Sequence, residues 1–268
     1  MKSLHVVLMG LLLCAPAFAT DWLSILSSKN PATHPQNEQA LARLESTDIP
    51  TAQAEVAELN TLYQSDPELR PMIGKVLMVA ITIRSFQAAP RLDNNTDVFQ
   101  PIIPTLIEHL TDPDSDTRLQ VERVIASLKP QPRAEALNPL ISLINSETDP
   151  GNMRIVIAAV ARYCTTSQSA VAALAKAAGP DQPRVKRAIV LDTIGLDLTK
   201  CTDPALVDAV LAGLRTSDDY IVSAAAKTAA LFGATAGPLM ADLQRIATTG
   251  QGQSAETARE TLRQLQRR

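Results

Sequence analysis

The sequence predicts an all-α fold of stacked helix pairs, an α-solenoid, on three observations. The first is composition. Of 268 residues, 46 % are apolar and only 3 % aromatic. Ala and Leu, strong helix formers, dominate, whereas strands favour Tyr, Phe and Trp. The second is a plan that returns along the chain: an apolar helix, a turn rich in Asp, Pro and Ser, then a second apolar helix. The third is its period. Second helices aligned at Arg118, Arg154, Lys186, Val222 and Arg259 are 36, 32, 36 and 37 residues apart, the variable spacing of paired-helix solenoids. One pair cannot bury its apolar face alone, and stacking makes a continuous core.

The elements follow in order. Residues 1–19 read as a secretory signal peptide: Lys2, an apolar run from Leu4 to Cys14 too short to span a bilayer, then Ala17-Phe18-Ala19 as the small-x-small cleavage pattern. A lipoprotein reading at Cys14 competes, but Leu13 stands where a small residue is wanted. Residues 20–51 read as a loose leader with a short helix near Glu38–Glu45, because Ser27, Ser28, Asn30, Pro31, Pro35 and Asn37 interrupt it. Residues 52–268 form the repeat domain. Its first, looser copy is Ala52–Tyr63 with Glu68–Ile83. A longer loop, Ser85–Asp97, follows.

Next come Ile102–Leu110 with Leu119–Leu128, where Val121, Val124, Ile125 and Leu128 mark one helical face. Leu137–Ile144 pairs with Met153–Tyr163, Ser169–Ala178 with Arg184–Leu196, and Pro204–Leu214 with Tyr220–Phe232. The last pair is Gly237–Thr248 with Ala255–Arg267.

The string Asp112-Pro113-Asp114-Ser115-Asp116-Thr117-Arg118 resembles the turn and second-helix start of HEAT repeats. Ser65-Asp66-Pro67-Glu68-Leu69-Arg70 matches the same pattern, Met153-Arg154 and Val185-Lys186 match in part, and Tyr220-Ile221-Val222 lacks the basic residue. Pro104, Pro139 and Pro238 fall where first helices of the family often carry Pro. The resemblance implies a right-handed α-solenoid of about five HEAT-like helix pairs. The tetratricopeptide alternative wants fixed Trp, Gly, Tyr and Pro positions, and the sole Trp, Trp22, lies outside the repeats.

Little in the sequence carries chemistry. It has no H-E-x-x-H, no Walker P-loop, no G-x-S-x-G and no C-x-x-C. Beyond the signal the histidines are His34 and His109, the latter read as a surface or turn-facing residue. Asp112, Asp114 and Asp116 resemble the start of a calcium loop, but Thr117 and Arg123 stand where an EF-hand needs Gly and Glu. They are read as turn and helix-start residues. Asn94-Asn95-Thr96 is a formal glycosylation sequon of little meaning in a bacterial-looking exported chain.

Cys164 and Cys201 are an even pair in an oxidising compartment. Pairing them would close a loop of roughly 36 residues and stabilise by roughly 4 kcal/mol; two separate thiols remain the alternative.

Net charge is −3 and the pI about 5.7, which argues against general nucleic-acid binding. Residues 20–150 hold 10 basic and 18 acidic groups, and residues 151–268 hold 14 and 10. Such unlike ends orient an encounter with a partner or with a second copy. Arg259, Arg263, Arg267 and Arg268 make a polar cap on the last helix.

In HEAT-like proteins second helices usually line the concave, binding surface. The resemblance therefore makes solvent-facing Arg123, Arg162, Arg187, Asp192 and Lys227 the partner-binding candidates. The expected function is a non-catalytic scaffold or adaptor for a protein or peptide, in the periplasm or secreted. It needs no cofactor, no metal and no membrane span after signal cleavage. An accessory factor with an enzyme-like role in cofactor attachment, and a structural component of a cell-envelope assembly, are the alternatives.

Overall fold

A computed structural model describes residues 22–26, 43–44, 48–87, 96–128, 134–197 and 203–267. Among these every regular element is helical. The helices are α1 (Trp22–Leu26), α2 (Ile49–Ser65), α3 (Arg70–Gln87), α4 (Thr96–Phe99), α5 (Ile103–Glu108), α6 (Ser115–Ser127), α7 (Leu137–Ser146), α8 (Pro150–Ala161), α9 (Gln168–Ala178), α10 (Arg184–Asp197), α11 (Pro204–Leu214), α12 (Asp219–Ala229), α13 (Met240–Thr249) and α14 (Gly252–Gln266).

They form two layers. The second helices α3, α6, α8, α10, α12 and α14 stack each on the next, and on the other side α7, α9, α11 and α13 do the same. This is an α-solenoid, and the described residues contain six helix pairs: α2/α3, α5/α6, α7/α8, α9/α10, α11/α12 and α13/α14. One apolar core runs between the layers from Trp22 to Ala258.

Local chemistry sets the helix starts. Asp48, Asp114, Asp149, Asp203 and Asp218 cap α2, α6, α8, α11 and α12, their carboxylates accepting backbone N–H groups of the first turn. Pro50, Pro150 and Pro204 sit in the first turn, where a missing N–H loses nothing. The turn role read for the aspartates is therefore what they do. Asp114 accepts from the Thr117 N–H at 2.7 Å, and hydrogen bonds from Thr117 hold its carboxyl below the usual range. Asp112 accepts from the Asp114 N–H at 2.9 Å.

Three departures from expectation have physical causes. The leader is not loose throughout. Trp22, Ile25, Leu26 and Leu44 are buried in the core, and the Trp22 indole donates to Glu55 Oε2 at 3.0 Å, while Arg43 pairs with the other oxygen of Glu55. The helix expected over 220–232 ends at Ala229. A stretch of 3₁₀ turns, Ala230–Leu239, follows and is broken at Gly233, whose φ of +50° suits glycine alone. Consequently α13 begins at Met240 rather than Gly237. Two helix seams also need a missing Cβ. One added at Gly74 of α3 would lie 2.4 Å from the Gln120 Cβ of α6, and one at Gly213 of α11 would lie 2.8 Å from the Ala225 Cβ of α12. The signal peptide, Cys201 and most of the 85–97 loop lie outside the described residues.

Candidate functional site: the outer face of the second helices

Arginines near the start of the second helices are mostly spent inside the fold. Arg70 Nε donates to the Tyr63 carbonyl at 3.0 Å, Arg187 Nε to Ala178 at 3.3 Å and Arg259 Nε to Ala247 at 2.9 Å. Each acceptor is a last-turn carbonyl of the first helix in the same pair, left without an intrahelical donor. Arg187 was expected to face solvent. It is buried instead, 8 % exposed, because it, rather than Lys186, occupies this capping register.

Arg162 is also only partly exposed. Its guanidinium donates to the carbonyls of Ala126 and, at 3.2 Å, Leu128. It therefore closes the end of α6, one pair earlier, instead of standing free on the face.

What is left on the outer face is a charged track. Arg123 of α6 is exposed. Arg154 of α8 pairs with Asp192 of α10 at 3.0 Å, and Asp192 reaches Lys227 of α12 at 3.8 Å. One carboxylate thus ties three consecutive second helices. Beyond Lys227 a cleft of about 360 Å³ opens between α12 and α14. Its α14 wall carries Gln253, Glu256, Glu260 and Gln264, spaced so that all fall on one side of a helix. Glu260 is held by Arg263 at 2.6 Å and accepts from the Gln264 amide at 3.3 Å.

The structure thus brings Asp192 and Lys227 together and adds Arg154 to them. Arg154 serves as a register marker in the sequence, and its ion-pair partner lies 38 positions away. The α14 residues were missed because four polar side chains on a terminal helix look like ordinary solvation.

Two further polar groupings lie away from this face. At the turn edge of the first two pairs, Asp112 Oδ2 accepts from Arg70 at 3.3 Å and lies 2.7 Å from His109 Nδ1. The His109 ring stands edge-on to Tyr63, with centroids 5.2 Å apart, and Arg70 lies over the Tyr63 ring. Burial raises the Tyr63 phenol well above its ordinary range. His109 is turn-facing, as expected, but packed. This arrangement ties one turn to the next. The second grouping is Glu122, fully buried in α6. Among the described residues no group of three or more His, Cys, Asp or Glu side chains is arranged to hold a metal ion.

The family model for HEAT repeats matches residues 103–195, from α5 to the last turns of α10. Residues 103–195 are thus similar to HEAT repeats. Among solved structures, an engineered protein is similar at 17 % identity, with 91 % of this chain and 67 % of that one covered and a TM-score of 0.50. A designed armadillo repeat protein in complex with peptide (KR)4 is 14 % identical over 85 % of this chain and 98 % of its own, at TM-score 0.40. An S. pombe condensin subcomplex is 16 % identical over 92 % of this chain and 34 % of its own, at 0.46. The first of these likenesses is one of fold. No curated protein matches the chain. HEAT-repeat folds commonly mediate protein binding as scaffolds, and among the described residues no helix is long and apolar enough to cross a membrane.

Proposed function

We propose that this chain is a non-catalytic scaffold, exported to the periplasm, that binds a protein or peptide along the outer face of its second helices. One observation carries the reading: the Arg154–Asp192–Lys227 track runs without a break into the α12/α14 cleft. The stacked helices offer charged groups at regular steps along one direction, which suits an extended or helical partner segment. Asp192 pre-orders both cations, so a partner meets a positioned pair instead of two freely rotating chains. Arg123 extends the track toward the N-terminal pairs.

The test is capture from envelope extract with the full-length exported protein, beside Arg123→Glu, Lys227→Glu and, as a turn-edge control, Arg245→Glu. A stoichiometric partner retained by the control and lost by the face variants supports the reading. Equal capture by all four, or no partner at all, overturns it. Fractionation of cells expressing the complete chain tests export: the protein in the periplasmic fraction, beginning at Thr20, is the expected result.

The same preparation tests the Cys164–Cys201 disulfide that an oxidising compartment favours. Fewer than one reactive thiol per denatured chain is expected, and two would sink the pairing.

A further inference from the structure

Glu122 stands apart from every other acid among the described residues. It is 0 % exposed, in the middle of α6, and both carboxyl oxygens are buried with no hydrogen-bond partner. Leaving an ionised carboxylate in that state is far costlier than leaving a neutral acid there. The acid closest in effect is Glu147, at the turn that follows α7, and its Oε2 is likewise buried without a partner. Its Oε1 accepts from the N–H groups of Thr148 and Asp149 at 2.7 and 2.8 Å, so Glu147 is fixed in place. Three carboxyl oxygens are thus buried without a partner, two on α6 and one at the turn after α7, and the charge of Glu147 acts on Glu122.

Among the described residues no counter-charge is paired with Glu122. On α6 itself Arg118 and Arg123 act on Glu122 only weakly against its burial. Arg118 donates to the carbonyls of Asp112 and Pro113, and Arg123 is exposed. From α8, Arg154 is turned to Asp192. From α3, Lys75 is exposed. In the turn before α6, His109 and Asp112 engage each other and Arg70. Burial, with the Glu147 charge adding to it, pushes the Glu122 carboxyl up to about 8.

We propose that Glu122 and Glu147 form a proton-operated lock between the second and third helix pairs, closed while Glu122 is neutral and loosened when it ionises. While Glu122 keeps its proton the seam holds one charge, that of Glu147; a second negative charge buried without a partner there is unfavourable. A solenoid is stable through its nearest-neighbour interfaces, so weakening one seam divides the second-helix face between Arg123 and the Arg154–Asp192–Lys227 track.

The sign follows from linkage. The folded-state acid holds its proton between about pH 4.5 and about pH 8, while the unfolded one has lost it. Stability therefore falls as pH rises through that window and levels off above it. One proton of difference lowers the folded-to-unfolded ratio about tenfold per pH unit.

The experiment is urea unfolding of the wild-type chain, Glu122→Gln and Glu147→Gln at half-unit steps from pH 5 to 9, with carboxyl ¹³C NMR of the wild type. The expected result is a wild-type midpoint that falls up to about pH 8, a flatter profile in Glu122→Gln, and a glutamate carboxyl titrating near 8. Glu147→Gln should shift that titration downward. Parallel wild-type and Glu122→Gln profiles, or no glutamate carboxyl titrating above about 6, overturn the proposal. The NMR measurement alone decides if Glu122→Gln fails to fold.

Discussion

The two ends of the stack solve the same packing problem with opposite materials. At the N-terminal end the largest buried side chains gather: Trp22, Tyr63 and Phe99, with Leu44, Leu59 and Leu77 between them. There long polar groups make the joints: Arg70 ties the first pair to the second through Asp112, and the Trp22 indole ties α1 to the first pair through Glu55. At the C-terminal end α12 buries Ala224, Ala225, Ala226 and Ala229, and the helices are joined by hydroxyls. Ser223 and Thr257 share a hydrogen bond of 3.0 Å, Thr228 donates to the Leu191 carbonyl of α10 at 2.5 Å, and Thr261 donates to the Ala226 carbonyl of α12 at 2.9 Å. Large side chains hold helices apart and bury much apolar surface each. Small ones let backbones approach, and each seam then depends on tight fit.

The N-terminal half of this comparison breaks most severely at Trp22. Trp22→Ala removes a side chain only 1 % exposed and leaves Glu55, itself buried, without its indole donor. The expected loss is about 3–5 kcal/mol, read as a lower urea midpoint. A loss under 1 kcal/mol would mean the N-terminal segment does not close the core.

At the C-terminal half the sharp test is addition. In Gly213→Ala the new methyl would meet the Ala225 Cβ at 2.8 Å and Leu191 Cδ1 at 3.1 Å. Overpacking by one methyl is expected to destabilise by about 1–3 kcal/mol, although alanine is the better helix former. A gain in Tm would show that this seam has slack, and the contrast between the two ends would fail. A smaller effect is expected at Thr228→Val, which keeps the shape but orphans the Leu191 carbonyl from its hydroxyl donor. A loss of about 1–2 kcal/mol is expected in the same unfolding assay.

Why so much of this fold is legible from sequence follows from where its information lies. Asp-Pro turns, aspartate caps and apolar stripes are local, and a solenoid repeats them, so Pro204–Leu214 is read to the residue. What fails is what the chain joins across a repeat. Arg162 and Arg187 lie at plausible solvent positions, yet each finds an unsatisfied carbonyl within reach, Arg162 at 34 to 36 positions' distance and Arg187 at 9. Periodicity also loses its meaning in α10 and α12, where neighbours on both sides bury nearly the whole circumference. A helix buried all round has no polar stripe to read. Glu122 is invisible for the same reason: a charged letter in the sequence is taken for a solvated one.

Lys227 gives the smallest expected effect on stability and the largest on function. Its side chain is 59 % exposed and its ion pair with Asp192 spans 3.8 Å. Solvent and salt screen such a pair, so Lys227→Ala should change unfolding by about 1 kcal/mol or less. Asp192 would keep Arg154 at 3.0 Å, so the carboxylate is not left unpaired. If the track binds a partner, the same substitution should lower its affinity far more than it lowers stability, measured by titrating the captured partner against both proteins at two salt concentrations. A parallel loss of affinity and stability would make Lys227 a structural strut. Loss of affinity alone, shrinking at higher salt, would place it in the interface, since a screened contact charge acts on association before it acts on the fold.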